Sequence, residues 1–217
     1  MPETLPLFPL DGVLFPEMLM PLHIFEPRYR MLVKRSLDRS EPFGIVLSRG
    51  AGEGGGPHQV GTAAEIVGHQ PLPDGRSFIV VRGGRRFAIE RIDADAAPYL
   101  VGRVRYLDED EGSESTDAAR EAADLFSEYL HSILAATDEP RSEAPDVASM
   151  GAGSPREIAY RIAASLAIDS AERQRLLEAP STAERLASEL RLLERENALL
   201  KELLLRLRAS SEPSKLN

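Results

Sequence analysis

The first half of the chain carries its apolar residues in short runs without a helical period, whereas the second half carries them at helical spacing. "LPLFPL" and "GVLF" are brief apolar runs cut by prolines, and "MPLHIF" and "FGIVLS" read as strands. Alternating runs over Thr62–His69 and Arg76–Val81 flank "PLPDG", where Asp74-Gly75 supplies the turn chemistry of a hairpin. Gly83-Gly84 permit a sharp reversal or a bulge before a third strand, "RRFAIERI", and "YLVGRVRYL" gives a fourth. Strands so closely spaced predict an antiparallel sheet or a small closed barrel. The acidic "DEDEGSES" that follows marks a loop or a domain boundary.

Beyond that boundary the pattern is helical. Thr116 or Asp117 caps a helix through "AAREAADLFSEYLHSILAA", with Leu125, Tyr129, Ile133 and Leu134 near one face. Three capping boxes then follow: Ser154 with Glu157, Asp169 with Glu172, and Ser181 with Glu184. In phase with the apolar positions they predict a helix-turn-helix-turn-helix array, with Pro155 at the first helical position of the first box. The last helix, about Thr182–Ala209, carries Leu186, Leu190, Leu193, Asn197, Leu200, Leu204 and Leu207 in alternating steps of four and three. This is a heptad seam in which Asn197 can fix register. Leu192, Leu199, Leu203 and Leu205 widen the apolar stripe, so the helix can pack on its neighbours, on a second copy, or on both. Two stretches rich in glycine, proline or serine, 48–58 and 138–153, read as flexible segments.

The stretch "PLHIFEPRYR" holds His, Glu, Tyr and Arg side chains of the kind found in active sites. Its local pattern is a strand end followed by a helix in which Pro27 occupies the first turn and Glu26 the cap. Phe25, Tyr29, Leu32, Val33 and Ser36 then share the face toward the sheet, and Glu26 can pair with Arg30 four residues on. Arg28, Arg30, Lys34 and Arg35 form a solvated face on this reading.

Composition narrows the chemistry. A net charge of -9 opposes a phosphate-tracking surface, so nucleic acid is not the expected partner. With no cysteine, thiolate catalysis, disulfides and cysteine-based zinc sites are excluded. The N-terminus lacks the pattern of a secretory signal, and no apolar run reaches the about 20 residues needed to cross a bilayer, so a cytoplasmic protein is expected. None of the four histidines has metal-ligand spacing. No nucleophile elbow, dinucleotide fingerprint or phosphate-binding loop is present, and the glycines of "SRGAGEGGGPH" have no lysine to meet a phosphate. "VRGGRRF" reads as a strand bend flanked by solvated arginines rather than an anion site. No catalytic residue, cofactor or metal is assigned.

At "LPLFPLDGVLFPEMLMPLHIFEPRYRMLV", "VGTAAEIVGHQPLPDGRSFIVVRGGRRFAIERI" and "IAYRIAASLAIDSAERQRLLEAPSTAERLASELRLLERENALLK" the chain resembles the Lon protease N-terminal, substrate-binding domain. The resemblance implies an α+β fold: an N-terminal PUA-like β pseudo-barrel over 1–110, then a C-terminal α-helical bundle with a long last helix over 116–210. It also implies a non-catalytic role in recognising polypeptide, since AAA+ and Ser-Lys peptidase modules need several hundred residues more than these 217. Candidate contacts for an unfolded or extended polypeptide segment are Met18, Leu19, Met20, Arg28 and Arg85. The alternative is assembly or regulation, by self-association or by pairing with a Lon protease through Leu193, Asn197, Leu200, Leu204 and Leu207. RNA binding, known for PUA-like barrels, ranks below both because of the acidic charge.

Overall fold

Two long strands organise the N-terminal region in the computed structural model, which describes residues 3–49, 56–110, 115–136 and 151–211. They are β4 (Pro57–Pro71) and β5 (Ser77–Asp93), joined by a turn in which Gly75 takes φ 81° and the Asp74 carboxylate accepts the Arg76 amide. With β1 (Glu3–Leu10), β2 (Leu19–Ile24), β3 (Phe43–Ser48) and β6 (Val101–Tyr106) they form a six-stranded sheet in the order β2-β5-β4-β3-β1-β6. β5 pairs β6 as well. The sheet is mixed, because β1 and β3 run parallel. The wholly antiparallel expectation fails there since β2 and helix α1 (Pro27–Arg39) supply the crossover that a parallel pair requires.

Gly83-Gly84 make a bulge and not a reversal. Ala64 faces Gly83 while Thr62 faces Arg86, so two β5 residues oppose one β4 residue and the strand bends without ending. Glycine is needed at position 83 because the chain before β2 crosses it closely: the Glu17 amide donates to the Gly83 carbonyl, and the Gly83 amide donates to that of Met18. A Cβ there would overlap the Phe15 carbonyl oxygen.

The sheet is buried on both faces, since alternate residues of β1, β3 and β4 fall in two separate clusters. Tyr29, Leu32 and Val33 from α1 pack with Phe8, Ile24, Phe43, Ile79 and Val81, while Leu5, Leu7, Val46, Phe87 and Val104 form a second cluster. Buried apolar area of this kind is the main source of stability. Three local expectations change at the α1 junction. Phe25 precedes the first helical turn and is 58% exposed, so it does not share the buried face. Glu26 stands at the cap position without a side-chain cap bond, and its carboxylate pairs with Arg28 at 2.7 Å instead of Arg30. Arg30 lies instead against Gly75 of the hairpin turn.

The chain groups into two compact units, Met1–Glu109 with Ala163–Glu178, and Asp110–Ile162 with Ala179–Asn217. In the first, helix α4 (Ser170–Glu178) is tied to the strands: Gln174 donates to the Val60 carbonyl at 3.0 Å, and Arg86 to that of Leu177 at 2.6 Å. Arg86 is buried and pairs with buried Glu109 at 3.1 Å, so this arginine of "VRGGRRF" is not solvated. The second unit holds α2 (Ser115–Ala136), most of α3 (Pro155–Ser165) and the long α5 (Thr182–Ser211). All three capping boxes supply cap bonds: Glu157 and Ser154 exchange them, Asp169 accepts from the Glu172 amide, and Ser181 from that of Glu184. The helices they start are not one array, because α4 belongs with the strands. α5 packs along α2, where Asn197 donates to the Leu125 carbonyl at 3.0 Å and Lys201 meets Glu128 at 2.8 Å. The chain is thus an N-terminal mixed sheet region followed by a helical bundle with a long last helix. Among the described residues no helix is long and apolar enough to cross a membrane. The expected flexible segments fall largely on 50–55 and 137–150, outside the described residues.

The buried ion pair gives a stability test. Arg86→Met leaves the Glu109 carboxylate buried without this cation and is expected to cost about 3–5 kcal/mol in urea denaturation. The double variant Arg86→Met/Glu109→Leu is expected to recover much of that loss; a double variant no more stable than the single one contradicts the assignment.

Candidate functional site

β2 alternates strictly. Met20, Leu22 and Ile24 turn toward the core, while Leu19, Pro21 and His23 are exposed. On β5 their partners across the ladder are Arg82, Val80 and Phe78 in that order, all exposed. Directly opposed side chains share a face, so β2 and β5 present an apolar strip to solvent. Leu19 is 54% and Phe78 48% exposed, and Phe25 extends the strip at its end. The His23 ring stacks on Phe78 at 4.7 Å between centroids and lies 5.7 Å from Phe25, holding the aromatic end together. A bulge between Ile66 and Gly68 leaves Val67 exposed on the adjoining strand. Contiguous exposed apolar surface of this kind marks interaction sites.

Beside the strip a groove of 650 Å³ opens. One wall is the end of β1, from Phe8 to Asp11, and the other is Leu22–Phe25. Tyr29 and Arg28 of α1 line it, as do Pro98, Tyr99 and Leu100 of the loop before β6. The Tyr29 ring packs tilted against Phe8 at 4.1 Å between centroids, with the Arg28 guanidinium 4.6 Å above it. Burial pushes the Tyr29 phenol above its ordinary pKa; Arg28 opposes this and Glu26 reinforces it. The groove therefore sets aromatic rings beside polar groups, with the Glu26–Arg28 pair, His23 and Asp11 among its lining. Among the described residues no group of three or more His, Asp or Glu side chains is placed to hold a metal ion.

The residues singled out from sequence do not come together in one place. Leu19 lies on the apolar strip and Arg28 in the groove, whereas Met18 and Met20 pack against the core. Arg85 does not line the groove; it pairs with Asp108 at 3.2 Å and covers the Tyr106 ring at 4.6 Å. Leu193 and Asn197 are buried within the helical unit, and Leu200 and Leu204 are half-buried. Leu207 lies outside the described side chains. Sequence reasoning missed Phe25, Phe78 and Tyr99. The available signal for Phe78 was its position in an alternating run, where the opposite phase, Ile79 and Val81, faces the core.

Residues 4–195 match the family of the ATP-dependent protease La (LON) substrate-binding domain. The chain belongs to this family. Among curated relatives, the Lon protease of Roseiflexus castenholzii (strain DSM 13941 / HLO8) is 31% identical over 206 residues, covering 92% of this chain and 25% of that protein. The Lon protease of Phenylobacterium zucineum (strain HLK1) is 29% identical over 174 residues, covering 78% of this chain and 22% of that protein. The chain thus spans about a quarter of the length of the Lon proteases it matches. A Lon N-terminal domain protein from Xanthomonas campestris has a similar solved structure, with TM-score 0.64 and 26% identity over 87% of this chain and 97% of that one. The N-terminal domain of Mycobacterium avium complex Lon protease shares the fold, with TM-score 0.69 and 20% identity over 90% of this chain and 98% of that one. The match is to the non-catalytic, substrate-binding part of Lon, which is consistent with polypeptide binding.

The groove phenol can be titrated directly. Tyr29 and Tyr106 both keep their protons past the ordinary value of 10.0, mainly through burial. An unfolded chain releases those protons first, so stability falls as pH rises above 10.0 through the folded-state values. Ultraviolet absorbance titration should show late-ionising phenols, and Tyr29→Phe should remove one of them; an unchanged late phase contradicts the burial of this ring.

Proposed function

We propose that the chain captures extended, apolar segments of unfolded polypeptide, at the groove and on the adjoining strip of β2 and β5. The observation that carries this reading is the continuity of Leu19, Phe78, His23 and Phe25 with the groove wall in a substrate-binding family. Exposed aromatic side chains ordered by a sheet recognise apolar residues at low entropic cost, because the sheet already fixes them. Capture needs no bond-making chemistry, and specificity for unfolded chains follows from the burial of such residues in folded ones. We further read the sheet as a PUA-like pseudo-barrel over 1–110, since β5 pairs both β4 and β6 and the ladder can run round five strands. The bundle over 116–210, apart from α4, which is tied to the strands, is its companion domain, and the setting is cytoplasmic.

A second reading, assembly with itself or with a Lon protease, draws on exposed Leu199, Leu203 and Leu205 of α5. These lie off the heptad seam, whose Leu193 and Asn197 are buried within the helical unit. Leu199→Glu/Leu203→Glu should then lower the sedimentation coefficient of an associated form; identical monomeric sedimentation of both proteins removes self-assembly.

Binding of a permanently unfolded, fluorescently labelled protein tests the first reading. Phe25→Ser/Phe78→Ser should weaken it about tenfold or more, since two exposed aromatic contacts are worth at least 1.4 kcal/mol together. The thermal midpoint should hardly move, both side chains being exposed. Undiminished affinity in this variant places capture elsewhere.

A further inference from the structure

The groove lies where the sheet is interrupted. Among the described residues β2 pairs only with β5, so one of its edges is open. β1 pairs with β6 through Glu3–Pro6 alone, and over Leu7–Leu10 its ladder is with β3. The two walls of the groove, Phe8–Asp11 and Leu22–Phe25, belong to these two strands. From this geometry we propose that the guest enters as an added β-strand, hydrogen-bonded through its backbone between β1 and β2. The proposal rests on the polypeptide-binding reading and specifies its mode.

Strand directions and backbone phase make the proposal specific. β2 is antiparallel to β5, β5 to β4 and β4 to β3, and β3 is parallel to β1. β1 and β2 therefore run in opposite senses, and a guest antiparallel to β2 runs parallel to β1. Because the Met18 carbonyl accepts from Gly83 on β5, the next residue and its alternates, Leu19, Pro21 and His23, direct their backbone groups to the open edge. Likewise the Leu7 amide donates to Leu100, so Pro9, two residues on, faces the groove side of β1. Proline has no N–H, which is why it is tolerated at these unpaired positions. The two open edges consequently offer carbonyls at Pro9 and Pro21, and donor with acceptor at Leu19 and His23, with Pro9 and His23 lining the groove itself.

An acceptor-rich rim selects its occupant. It calls for a strand that brings N–H groups, namely an extended polypeptide free of proline, with alternate apolar side chains facing Phe8, Ile24 and Tyr29. A second copy of this chain fits poorly: β2 paired antiparallel to its twin about Pro21 sets proline against proline and leaves no donor at the centre. The prolines thus guard the edge against self-pairing and leave it open to other chains.

Fluorescence anisotropy on the full chain tests this with a labelled peptide of about ten residues, alternating leucine and serine, and the same peptide N-methylated at every second residue, in both registers. N-methylation keeps the side chains and removes backbone donors. It should weaken binding about tenfold or more, and amide exchange at Leu19 and His23 should slow when the unmodified peptide binds. Equal affinities with unchanged exchange at both amides overturn strand addition while leaving polypeptide capture intact. Loss of binding by the unmodified peptide and by an unfolded protein alike removes the underlying reading and this one with it.

Discussion

Backbone hydrogen bonding along β5 is the constraint on which the sheet depends. Its 17 residues serve three partner strands, with β4 along one edge and β2 then β6 along the other. A flat strand of that length cannot meet all three, and the bulges at Gly84-Arg85 and Glu90 provide the bend. The bend fixes where β2 begins, because the Glu17 and Met18 backbone hydrogen-bonds to Gly83 just before the bulge. The edge position of β2, the strip beside it and the groove all follow.

Buried polar groups reinforce this frame. The Thr62 hydroxyl donates to the Leu14 carbonyl at 2.6 Å and holds the loop before β2 against β4. On β5, Arg86 joins Glu109 and the Leu177 carbonyl, so the bulged region is bound to α4. Gln174 ties the same helix to β4. Arg173 lies over the Phe15 ring at 5.4 Å, and burial draws its guanidinium below the ordinary pKa. Residues far apart in the chain thereby keep the β2 segment in place without touching the groove.

Local rules made much of the architecture legible in the sequence. Short apolar runs and two alternating stretches marked the strands, Asp74-Gly75 the hairpin turn, and the three capping boxes the starts of α3, α4 and α5. What local rules cannot contain is partner choice. The parallel β1–β3 pair, the continuity of β5 through Gly83-Gly84 and the grouping of α4 with the strands are decided by long-range contacts. The same limit applies to the site. Leu19 and Arg28 were visible as candidates, but the groove assembles segments around residues 8, 24, 29 and 99, whose proximity no spacing encodes. Asn197 illustrates the converse: a polar residue in a leucine seam signals register, and here it sets the register of α5 on α2 within one chain. "PLHIFEPRYR" is accordingly neither a catalytic cluster nor architecture alone, since its strand end and first helical turn form one wall of the groove.

Backbone amide NMR during titration with an unfolded, non-aggregating polypeptide tests the central claim most directly. Saturable shift changes confined to Phe8–Asp11, Leu19–Tyr29, the β5 segment around Phe78 and the loop ending at Leu100 are predicted. Changes confined to α5, or none across the sheet at saturating polypeptide, would contradict it.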